Sequence, residues 1–85
     1  MEPNHRRSNP EIISDILRLG DASKTKIMYA SNMSHSQLER YLDFLLRRGF
    51  LYSEVKPNPG VVYHVTDKGK ALLQRIEHLF ELLEQ

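Results

Sequence analysis

The side chains best equipped for chemistry lie in two short runs. Lys24-Thr25-Lys26 sets two ammoniums beside a hydroxyl, and Ser34-His35-Ser36-Gln37 with Arg40 gathers hydroxyls, an imidazole, an amide and a guanidinium. These groups donate and accept hydrogen bonds and hold anions, which is the chemistry that base edges and phosphates call for. Bond-breaking chemistry is poorly served. His5, His35, His64 and His78 are scattered without metal-ligand spacing, and cysteine is absent. No glycine-rich phosphate loop and no Ser/His/Asp grouping is evident. The expectation is a binding protein that is not an enzyme, with no metal, cofactor or small-molecule substrate.

The elements that must position these residues follow from periodicity and capping. Asn9 is expected to cap a first helix, with Pro10 at its first position and Ile12, Ile13, Ile16 and Leu17 at helical spacing, ended by Gly20. Ser23 caps a short second helix that turns Ile27, Met28 and Tyr29 inward, and Ser31-Asn32-Met33 breaks it. Ser34 opens a third helix, with Gln37 completing a capping box and Leu38, Tyr41, Leu42 and Leu45 forming one buried stripe up to Gly49. At 100° per residue the opposite face carries Ser36, Arg40, Asp43 and Arg47, flanked by Gln37 and Phe44. Phe50–Val55 and Val61–Val65 are β-branched and aromatic runs on either side of Pro57-Asn58-Pro59-Gly60, so they predict a hairpin with a stiff, polar tip. Thr66 caps a last helix, on which Leu72, Ile76, Leu79 and Leu83 fall at spacings of four, three and four, with Leu73 and Phe80 alongside.

The run Lys24–Ser34, then Leu38-Glu39-Arg40-Tyr41-Leu42, Arg48-Gly49-Phe50-Leu51 and Tyr63-His64-Val65-Thr66-Asp67-Lys68-Gly69, resembles archaeal winged helix-turn-helix transcriptional regulators. It is similar also to the archaeal ten-kilodalton chromatin-associated DNA-binding dimers, whose C-terminal helices pair as an antiparallel coiled coil. The likeness covers roughly residues 11–85. It implies an α+β, mainly α, winged helix-turn-helix fold of three helices, a two-stranded wing and a long C-terminal helix. It also implies binding to double-stranded DNA, with helix 35–48 in the major groove and wing 56–60 on the flanking backbone. The DNA-binding residues would then be Lys24, Thr25, Lys26, Ser34, His35, Ser36, Gln37, Arg40, Arg47, Lys56 and Asn58. The rival reading of the exposed third-helix face is a solvated surface with Arg47 paired to Asp43.

Length and charge constrain this further. Eighty-five residues make one domain, divided here into a flexible basic arm 1–9 carrying Arg6 and Arg7, a winged-helix domain 10–66 and a dimerisation helix 67–85. The net charge is +1, yet residues 71–85 set only Arg75 against Glu77, Glu81 and Glu84, so the body is basic and the end acidic. Leu72, Ile76, Leu79, Phe80 and Leu83 are the expected homodimer interface, because that stripe is too long for its own domain to cover. No apolar run is long enough to span a membrane, and a cytoplasmic, nucleoid-associated location is expected. The modest basic surplus favours a sequence-specific regulator over an architectural DNA binder, and a winged helix serving in protein–protein contacts stands as the third possibility.

Overall fold

The computed structural model describes residues 8–84 apart from Pro59, so Arg6 and Arg7 of the expected arm lie outside the described residues. Helix α1 (Asn9–Arg18) is capped by Ser8, not Asn9. The Ser8 hydroxyl accepts the Glu11 N–H at 3.3 Å, and the Glu11 carboxylate accepts the Ser8 N–H at 2.7 Å. Only Ser8 has an acidic residue at the third helical position to close this reciprocal box, which decides between two adjacent residues that can both cap. Asn9 bonds elsewhere: its Oδ1 accepts the Tyr41 hydroxyl at 2.6 Å.

A two-residue strand, β1 (Ala22–Ser23), leads into α2 (Lys24–Ser31), where the Ser23 hydroxyl accepts the Lys26 N–H. Asn32 then turns the chain in a left-handed conformation, and α3 (His35–Arg47) begins with the expected Ser34/Gln37 capping box. Strands β2 (Leu51–Val55) and β3 (Val61–Val65) form the antiparallel wing in the register Leu51↔Val65 to Val55↔Val61. The sheet has three strands rather than the expected two. β1 pairs with the far edge of β3, Ala22 opposite Tyr63, so the order is β1-β3-β2. A two-residue strand carries no readable alternation, which is why periodicity passed over it.

The three helices and the sheet close on one core. Ile16 and Leu17 of α1, Ala22 of β1, Ile27 of α2, Leu38, Leu42 and Leu45 of α3, Leu51 of β2 and Tyr63 of β3 are all buried. Burial raises the Tyr63 hydroxyl above its ordinary pKa. Tyr29 corrects the sequence expectation: it is 80% exposed, because two residues along a helix from Ile27 is about 200° of rotation.

Helix α4 (Asp67–Leu83) is stitched onto the α3–β2 corner at its start. Thr66 accepts the Gly69 N–H and donates to the Gly49 carbonyl at 2.6 Å, while Lys68 Nζ reaches the Arg48 carbonyl at 2.7 Å. Further along, α4 lies against α1, where Arg18 Nε meets Glu77 Oε2 at 3.0 Å. Among the described residues no helix is long and apolar enough to cross a membrane.

Candidate nucleic-acid interface

The Lys24 ammonium at the start of α2 reaches the second turn of α3, where it pairs with the Glu39 carboxylate. Each helix start carries a partial positive charge from its free N–H groups, which favours an anion there. Thr25 and Lys26 are exposed at the first, and Ser34, His35, Ser36 and Gln37 at the second. Arg40 is exposed one turn further along α3. The inward stripe of Leu38, Leu42 and Leu45 fixes the rotation of α3 and so turns this polar face outward.

The candidate residues are not equally available. Ser34 and Gln37 are engaged in the cap, the Ser34 hydroxyl accepting the Gln37 N–H at 3.3 Å and the Gln37 carbonyl oxygen accepting the Ser34 N–H at 3.4 Å. The Gln37 amide NH2 stays outside that exchange. Lys24 is held by Glu39, whose same oxygen lies 3.5 Å from His35 Nε2. Arg47 pairs with Asp43 at 3.0 Å, as the solvated-face reading expects, and Lys56 Nζ sits 3.9 Å from Glu54. Among the described residues Lys26 and Arg40 make no ion pair. Arg40 borders a surface groove of about 370 Å³ between α1 and α3, lined also by Asn9, Ile13, Gln37, Tyr41 and Phe44.

The wing carries Lys56 and Asn58 exposed at its tip, with Val55 82% exposed beside them. Its base holds a cluster that sequence spacing did not bring together. His64 Nδ1 lies 2.9 Å from Asp21 and Nε2 2.8 Å from Glu54, and the ring stacks on Tyr52. The side chain is only 16% exposed. Hydrogen bonds to Asp21 first and Glu54 second raise the imidazole above its ordinary 6.5. Glu39 was missed as well, being read only within the run that carries the family resemblance. Its partner Lys24 is on another helix, and no local spacing announces such a pair. Among the described residues no cluster of three or more His, Asp or Glu is placed to hold a metal.

The five residues expected at a dimer interface divide. Ile76 is 8% exposed and so is covered by its own chain, and Leu72 and Phe80 are half-buried. Leu79 and Leu83 stand open at 46% and 72%, joined by Leu82 at 56%, which the seam at four, three and four had left out.

Comparison with known proteins places this geometry. The family model described as winged helix-turn-helix matches residues 6–84. An uncharacterized protein of Methanocaldococcus jannaschii is 35% identical over 82 residues, spanning 93% of this chain and 79% of the relative. A second uncharacterized protein of that organism is 36% identical over 84 residues, and there the chain spans only 37% of the relative's length. Among solved structures, Sso10a-2, a DNA-binding protein from Sulfolobus solfataricus, superposes with a TM-score of 0.83 at 31% identity, over 92% of this chain and 83% of that one. The oxidized form of MarR from E. coli shares the fold, with a TM-score of 0.71 at 23% identity over 82% of this chain and 51% of that one.

Proposed function

The chain belongs to the winged helix-turn-helix family, and from that premise we propose that it binds double-stranded DNA as a transcriptional regulator, with α3 in the major groove and the wing on the flanking backbone. One observation carries the proposal. The outward face at the start of α3 sets Ser36, the Gln37 amide and Arg40, which makes no ion pair among the described residues, on one side of the helix. Lys26 is exposed on α2, so base-reading groups and a phosphate-holding cation are all open to a ligand. The likeness to Sso10a-2, a DNA-binding protein, supports the same reading. In this scheme residues 10–66 form the DNA-binding unit and α4 brings two copies together.

A regulator is preferred to an architectural binder because most cations near the interface already have internal partners. Affinity driven by phosphates alone needs many free Lys and Arg, since each neutralised phosphate adds its share of released counterions. Here Lys24, Arg47 and Lys56 face carboxylates, which lowers indiscriminate attraction and leaves discrimination to Gln37 and Arg40.

The test is a selection of bound duplexes from a random pool, followed by titration of variants. Arg40→Ala should weaken the selected site by about 1–3 kcal/mol and relax one base position, whereas Lys26→Ala should weaken all duplexes alike and reduce the salt slope by about one. Wild-type affinity in the double variant at low salt refutes the proposed interface. A pool that emerges without sequence enrichment, yet tightly bound, favours the architectural reading.

A further inference from the structure

Glu39 is an acidic residue placed where the proposed interface wants an anion. It stands in the second turn of α3, and its Oε2 takes Lys24 from the start of α2 and His35 from the start of α3. One carboxylate oxygen therefore gathers the first side chain of each helix, the Lys24 ammonium and the His35 imidazole, the position that suits a phosphate oxygen. The Lys24 side chain is 31% exposed and that of Glu39 47%, so the pair is reachable from solvent and open to competition. We propose that Glu39 is an internal counter-ion that holds Lys24 away from DNA phosphates, a specificity-determining residue that lowers affinity for arbitrary duplex.

This rests on the DNA-binding reading and goes beyond it. A free lysine at a helix start contributes to every sequence equally, because phosphates are the same everywhere. An intramolecular carboxylate removes that contribution unless docking draws the ammonium out of the pair. Affinity for mismatched DNA falls, and the ratio between selected and arbitrary sites rises. His35 is held by the same oxygen, so the start of α3 is restrained together with the start of α2.

The experiment is fluorescence anisotropy of a labelled mixed-sequence duplex at several salt concentrations, with the full chain in four forms: wild type, Glu39→Gln, Lys24→Met, and both changes together. Glu39→Gln keeps the side-chain shape, and the pair is exposed, so folding measured by circular dichroism should not change. Glu39→Gln is expected to bind about two- to fivefold tighter, the scale of one exposed ion pair. Its salt slope should steepen by about 0.9, that of one added phosphate contact. Lys24→Met alone should weaken binding, because it leaves the Glu39 carboxylate facing the phosphates without its cation, and in that background Glu39→Gln should gain less than in wild type and without the steeper salt slope. The proposal is overturned if Glu39→Gln binds no tighter than wild type, or if its full gain and steeper salt slope survive in Lys24→Met, which would make it a general charge effect. A wild type that binds no duplex at low salt defeats the DNA-binding reading itself, a different and distinguishable failure.

Discussion

His64 shows how much one side chain can organise. Its ring bridges Asp21, in the turn before β1, and Glu54 on β2, while the residue itself belongs to β3, so one imidazole ties all three strands of the sheet at the base of the wing. A neutral imidazole has one N–H and cannot donate to two carboxylates, whereas the imidazolium can. The protonated form is therefore the one the site stabilises, and its pKa lies above the ordinary 6.5 through the hydrogen bonds to Asp21 and then Glu54. With the folded value raised above the unfolded one, the stabilisation is fully present below about pH 6.5 and fades as pH rises through the folded value. The melting temperature of wild type should thus exceed that of His64→Gln most in mildly acidic buffer, with the gap narrowing in alkaline buffer. A gap that is constant with pH, or a ring that titrates below 6.5 by NMR, contradicts the bridge. Neither partner was legible from local spacing. Asp21 and Glu54 lie 43 and 10 residues from His64, and only the strand order β1-β3-β2 brings both to one ring.

At the scale of elements, the parts that sequence reasoning read well are those whose cause is local. The Ser34/Gln37 box, the Leu38-Leu42-Leu45 stripe, the Thr66 cap and the two wing strands all appear where their patterns put them. What it missed depends on the approach of distant segments: β1 on the edge of β3, Lys24 on Glu39, and the closeness of α4 to the α3–β2 corner. Gly69 makes that last contact testable. A Cβ there would run into the Phe50 carbonyl oxygen and come within 2.8 Å of a Val65 methyl, so the third residue of α4 must lack a side chain. In an open helix Gly→Ala stabilises by about 1 kcal/mol. Here Gly69→Ala should instead destabilise by about 1–3 kcal/mol, the usual scale for forced overpacking. Urea unfolding reads the sign directly, as a lower midpoint with an unchanged slope. A raised midpoint would mean that the corner is loose and that α4 is not fixed against the body at its start.

On the scale of the whole molecule, the dimensions of 45 × 31 × 18 Å describe an elongated body, and α4 is the element whose far end outruns its support. Arg18 is the last residue of α1, and it pairs with Glu77. Ile76, at that level, is buried, but Leu79, Leu82 and Leu83 beyond it are exposed. We propose that this outer row, with half-buried Phe80 beside it, pairs with a second copy. Isologous two-fold contact is the commonest way to cover such a strip, and an antiparallel arrangement keeps apart the acidic ends formed by Glu77, Glu81 and Glu84. Two recognition helices about 34–36 Å apart would then face successive major grooves of one duplex. The structure also separates two substitutions that the sequence seam made look equivalent. Ile76→Glu sets a charge inside the monomer and should cost several kcal/mol of stability, unfolding the chain or nearly so. Leu79→Glu with Leu82→Glu places charges on surface already open to water, so the fold should survive while the dimer does not. Sedimentation equilibrium at micromolar concentration should find wild type at about twice the 10.0 kDa chain mass and the Leu79/Leu82 variant near the chain mass, with an unchanged far-ultraviolet spectrum. A wild type that sediments as a monomer refutes the pairing, and a Leu79/Leu82 variant that remains dimeric moves the interface to another face.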